Sequence, residues 1–145
     1  MPQMVSQTLA DAQATPVNHT FAPNGRDDKG TFWLLDRSQE NAIGYWKMSI
    51  EFKEPAPASA GASSKDRSYR VRIGLHEPVM ETIGNSTVSG VLPAPTVAYV
   101  PRTFLEFVIP ERSTLLDRQN LRKMAWLTLN LSQIASIVEN LDRPY

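Results

Sequence analysis

The chain of 145 residues contains no cysteine, which excludes a disulfide scaffold, a cysteine-ligated zinc site and a cysteine nucleophile, and leaves the redox compartment open. Histidine is nearly absent too: His19 and His76 lie far apart and form no metal-spaced pair, so structural or surface roles suit them better than catalysis. The glycine patterns that cradle phosphates or build a hydrolase nucleophile elbow are missing. The acidic residues are scattered, and the pair Asp27-Asp28 falls in a turn-like region where solvation explains it. Net charge is zero, with fifteen Lys plus Arg against fifteen Asp plus Glu, so any attraction to a charged partner must come from local segregation of charge. No apolar run approaches the roughly 20 residues of a membrane helix, and the first 25 residues lack a basic start followed by an apolar core. A soluble, unexported protein is expected, with no enzymatic activity, no cofactor or metal, and no membrane partner.

What is present is alternation. Lys47-Met48-Ser49-Ile50-Glu51-Phe52-Lys53 and Ser68-Tyr69-Arg70-Val71-Arg72-Ile73 alternate polar with apolar residues, and the polar half is mostly cationic. Successive strand side chains point to opposite faces, so one face carries Lys47, Lys53, Arg70 and Arg72 and the other Met48, Ile50, Phe52, Tyr69, Val71 and Ile73. Between Tyr99 and Ile109 the pattern recurs, with Arg102, Phe104, Glu106 and Val108 opposed to Thr103, Leu105, Phe107 and Ile109.

The length suits one domain with a modest core. Residues 1–30 are polar and punctuated by Pro16, Pro23, Gly25 and Gly30, which reads as an arm or short hairpin; Thr31–Leu35 is a β-prone stretch, so residues 1–44 form an N-terminal arm or hairpin and a first strand. Residues 45–110 form a sheet interrupted by two long loops, 54–67 and 77–98. The first is rich in Pro, Ala and Ser and too short for a helical crossover, so it joins antiparallel neighbours; a linker between two domains would leave neither half with much core. The second mixes Pro and Gly with Val, Ile and Leu, and its apolar groups need a cover, for which a second chain is a candidate. Residues 111–145 change to helical periodicity. Thr114 and Asp117 resemble a capping box, Leu115–Asn130 lacks Gly and Pro, and Met124–Leu129 is apolar nearly all round, which demands burial on several sides. Ser132 is placed to cap a second, shorter helix with Ile134, Ile137, Val138 and Leu141 at helical spacing. Strands followed by two helices make the fold class α+β.

The basic face is the one feature that points to function. Exposed strands often carry Lys and Arg for solubility alone. Arg102 and Phe104, on one side of a further strand, add an aromatic to the cations, the arrangement that stacks unpaired bases; packing of Phe104 beneath the N-terminal segment is the competing reading. Glu51 opposes phosphate binding at its own position, and suits orienting an Arg or accepting from a base amino group.

From about Tyr45 onward the chain resembles the coat proteins of the small single-stranded RNA bacteriophages, the leviviruses. The resemblance rests on Tyr45–Lys53, Ser68–Ile73, Leu105-Glu106-Phe107-Val108-Ile109-Pro110, and the ending Asn140–Tyr145 after two helices. It implies an N-terminal β-hairpin, a five-stranded antiparallel sheet and two C-terminal helices, in an intertwined homodimer with a continuous ten-stranded sheet and each subunit's helices across its partner's sheet. It further implies dimers that tile an icosahedral shell in the virion, assembled in the bacterial host cytoplasm, with the 77–98 loop making contacts around the symmetry axes in more than one conformation. The implied partner is single-stranded genomic RNA, bound on the inner sheet face by Lys47, Ser49, Glu51, Lys53, Arg70, Arg72, Arg102 and Phe104, with translational repression through an RNA hairpin. Well-studied members place small hydroxyl residues where this chain has Glu51 and Arg70, and a Tyr and an Asn where it has Arg102 and Phe104. General phosphate binding therefore transfers better than one specific hairpin contact. The alternative is a non-viral sheet-plus-helices RNA-binding module.

Overall fold

The computed structural model describes residues 3–82 and 93–144. Its strands are β1 (Gln7–Ala10), β2 (Asn18–Arg26), β3 (Phe32–Asp36), β4 (Trp46–Lys53), β5 (Ser68–His76), β6 (Val79–Met80), β7 (Val97–Tyr99) and β8 (Arg102–Pro110). Its helices are α1 (Leu115–Leu129) and α2 (Ser132–Glu139), so the α+β class and the order of strands before helices hold.

One compact unit comprises Met1–Glu54 and Tyr69–Val108. Six strands form one sheet in the order β1-β2-β3-β4-β5-β8, and each pairing from β1 to β5 is antiparallel. Contrary to expectation, the hairpin is not separate from a five-stranded sheet but continuous with it, and among the described residues the sheet has six strands. Residue 54 to residue 67 does join antiparallel neighbours, with Lys53 opposite Arg70 and Lys47 opposite His76. The N-terminal region is more regular than its prolines suggest. β2 runs nine residues through Pro23 because a register shift between Pro23 and Gly25 absorbs the break, and Gly25 adopts a φ of 104° that favours glycine.

The core lies on the apolar face. Leu34 is fully buried and forms a cluster with Phe21 and Met48, against which Met4, Phe32, Trp46, Ile50 and Leu75 pack. The register explains the choice: Leu34 stands opposite Met48, and Met48 opposite Leu75, so three strands contribute one apolar row. The same face holds His19, whose ring stacks on Trp46 at 4.1 Å and meets the buried Asp36 carboxylate at 2.7 Å. His19 is thus a structural histidine. Asp27 is more organised than a solvated turn residue. Its carboxylate accepts from the Trp33 indole and the Thr31 and Lys29 amides, and these bonds, led by that of Trp33, hold its pKa below the usual value.

Within the loop expected over 77–98, β6 and β7 pair, so its base is a small two-stranded ribbon. Residues 83–92, on which the expectation of several loop conformations falls, lie outside the described residues.

The second compact unit comprises Pro55–Ser68 and Ile109–Tyr145. Arg67 ties its two segments together, with Nε donating to Glu111 at 2.6 Å and Nη1 to the Ala56 carbonyl at 2.6 Å. The capping box at Thr114 and Asp117 is present in both directions. The expected cap at Ser132 is not: Leu131 is the N-cap of α2, no side chain caps it, and Ser132 is already its first residue. Among the described residues α1 is not buried either. Met124 is 62% exposed and Trp126 64%, and neither helix has a buried residue.

Candidate nucleic-acid interface

The interface is built from cross-strand rows, since residues directly opposite in a sheet share a face. Leu35, Lys47 and His76 form one row, Trp33, Ser49 and Gly74 the next, then Glu51 with Arg72, then Lys53 with Arg70. β8 adds Arg102, Phe104 and Glu106, which are exposed, while Leu105, Phe107 and Ile109 on the opposite parity are half-buried. All eight positions singled out in the sequence therefore lie on one face of one sheet.

Phe104 has a specific seat. A Cβ built on Gly74 would stand 2.5 Å from the Ser49 hydroxyl and 3.0 Å from two carbons of the Phe104 ring, so only glycine lets that ring lie down across β5. Ser49 is buried beneath it, with its hydroxyl directed to the Gly74 carbonyl at 3.5 Å. The Arg72 guanidinium covers the ring at 4.2 Å from its centroid, a cation–π contact, and His76 meets the ring edge-on at 5.4 Å. Trp33 approaches His76 from the other side at 5.7 Å. Phe104 nonetheless remains 48% exposed, so the structure does not bury it under the N-terminal segment.

Electrostatically the face carries five cations, Lys47, Lys53, Arg70, Arg72 and Arg102, against two carboxylates. Glu51 pairs with Lys53 at 2.9 Å and Glu106 with Arg70 at 3.8 Å, both partly exposed contacts of small net energy. Burial, then the charges of Arg102, Lys47 and Arg72, push the His76 pKa below its ordinary value of 6.5, so the ring is neutral at neutral pH. Among the described residues its buried Nε2 has no hydrogen-bond partner.

Sequence reasoning misses Trp33, Gly74 and His76 as members of this face. Thr31–Leu35 is apolar at nearly every position and hides its own parity, and only its register with β4 assigns Trp33 to the charged side. Among the described residues no cluster of three or more His, Asp or Glu is arranged to hold a metal ion, and no helix is long and apolar enough to cross a membrane.

The fold and the face together define an α+β protein with an open, cation-rich sheet surface. The chain belongs to the levivirus coat protein family, whose family model matches residues 2–145. It is 45% identical to the protein of the virus-like particle of bacteriophage ESE058, covering 99% of this chain and 100% of that one with a TM-score of 0.91. The bacteriophage EMS014 coat protein is 30% identical over 86% of this chain and 72% of its own, with a TM-score of 0.65. The capsid protein of bacteriophage GA, 20% identical over 96% and 95% of the two chains with a TM-score of 0.67, shares the fold. No curated protein sequence matches the chain. Membership of a structural coat-protein family takes the place of the non-viral module as the reading of the resemblance.

Proposed function

We propose that the chain is a capsid subunit that associates with copies of itself, dimers first, into an icosahedral shell in the virion, and that it holds single-stranded genomic RNA against the face of β4, β5 and β8. The observation that carries the RNA reading is the segregation of five cations and a half-exposed Phe104 onto one sheet face of a chain with no net charge. Lys47, Lys53, Arg70, Arg72 and Arg102 face phosphates, Phe104 offers a stacking surface, Glu51 supplies a polar group between them, and Ser49, buried under the ring, takes part as its support. Self-association is supported by the edge position of β8, whose outer backbone groups suit pairing with a second copy into one continuous sheet, and by the exposed apolar side chains of α1, which suit a partner's cover. The 45% identity to a protein of a virus-like particle supports the shell. Assembly in the bacterial cytoplasm and repression of translation through an RNA hairpin complete the proposal.

The salt dependence of RNA binding tests the role of the face. Replacing Arg72 with Ala should weaken binding and lower the log–log slope by roughly 0.7 for each single-strand phosphate that Arg72 neutralises. An unchanged slope would remove Arg72 from the phosphate-binding set.

A further inference from the structure

Glu51 and Arg72 stand directly opposite each other on β4 and β5, where oppositely charged side chains ordinarily pair, yet no ion pair forms between them among the described residues. Arg72 turns instead onto the Phe104 ring, and Glu51 is held at Oε1 by Lys53. The two side chains diverge, and a hollow of about 370 Å³ opens between them, lined by Glu51, Lys53, Arg70, Arg72 and Glu106. That volume lies in the range of small-molecule sites, about 300–1,000 Å³.

The chemistry of the walls is selective. Guanine alone among the RNA bases presents two adjacent donors, N1–H and the N2 amino group, which match the two oxygens of one carboxylate. It also presents adjacent acceptors, O6 and N7, which match the fork of a guanidinium. Adenine and cytosine offer an amino group beside an acceptor, and uracil a single N–H, so none gives a carboxylate two donors. Glu51 is the better fixed carboxylate, with its side chain 22% exposed against 46% for Glu106. The cation–π contact with Phe104 holds the Arg72 guanidinium at the wall of the hollow.

We infer that the hollow between Glu51, Arg70 and Arg72 is a base site selective for guanine in single-stranded RNA, with Glu51 as the residue that sets the preference. The inference rests on the RNA reading above and adds base choice to it. Guanine N1–H and N2–H donate to Glu51, O6 and N7 accept from an arginine fork, and Lys53 and the remaining arginine neutralise the flanking phosphates.

The test uses the intact chain freed of copurified nucleic acid and four labelled oligouridines, identical except for a single central uridine, guanosine, adenosine or cytidine. The guanosine oligonucleotide should bind about tenfold or more tightly than the other three, the margin of one good bidentate contact. Glu51→Gln should erase that margin, so that the four RNAs bind with one affinity. Replacing both Arg70 and Arg72 with Lys, which keeps the charge and removes both forks, should also narrow the margin. Equal affinity for all four RNAs, or a margin unchanged in Glu51→Gln, overturns the guanine site and leaves phosphate binding standing. Failure of wild-type protein to bind any of the four at low salt overturns the RNA reading itself, and the base site with it.

Discussion

Gly74 lies beneath the ring of Phe104, and the space where its Cβ would be is already occupied by that ring and by the Ser49 hydroxyl. The exposed aromatic of the candidate interface is therefore positioned by the absence of a side chain on the neighbouring strand. Gly74→Ala forces Phe104 or Ser49 to move and should destabilise the protein by about 1–3 kcal/mol, the usual cost of overpacking. Chemical denaturation measures it, and the double variant with Ser49→Ala should recover part of that stability, as expected for groups that share one space. Full additivity of the two substitutions would contradict the shared seat.

The His76 pKa is lowered by burial first and by Arg102, Lys47 and Arg72 second. The unfolded chain takes up a proton near pH 6.5, whereas the folded chain resists until a lower pH, so between those values the unfolded state binds more protons. Stability should therefore fall as the pH drops through about 6.5 towards the folded-state pKa, and be unaffected by this group above that range. His76→Gln should flatten that part of the pH–stability curve, read as melting temperature against pH. An identical slope in wild type and variant would contradict the assignment.

Met124, Trp126 and Leu129 are more than half exposed on α1, too much apolar surface for a helix that meets only water. If a second copy covers them, Trp126→Ala should weaken self-association by about 2 kcal/mol or more, the scale of a buried aromatic anchor. Sedimentation should show the shift towards smaller species while circular dichroism shows the helix retained. Unchanged assembly would place the partner contact elsewhere.

Much of this architecture is legible in the sequence because strand parity is a local property. Lys47, Ser49, Glu51 and Lys53 alternate with apolar residues, and so do Arg70 and Arg72, so their common face needs only the pairing of β4 with β5. The capping box at Thr114 is legible for the same reason, as both partners lie within one turn. What is not legible depends on tertiary placement. Trp33 and His76 join the face through register, Gly74 matters only because Phe104 lies over it, and the six-strand count needs the β1–β2 hairpin to continue into β3. Ser132 fails as a cap because the helix begins one residue earlier than the hydroxyl pattern suggests. The apolar character of Met124–Leu129 is plain in the sequence, but burial within the chain does not follow from it, since what a greasy helix requires is a cover and not a cover from its own chain.

Enclosure of RNA by this coat subunit on its charged sheet face can be seen by electron microscopy of the nuclease-treated recombinant protein, with extraction of whatever nucleic acid survives. Closed icosahedral particles of uniform size containing protected single-stranded RNA are expected. Protein that remains a dimer or smaller species, or closed particles that protect no RNA, would contradict that enclosure.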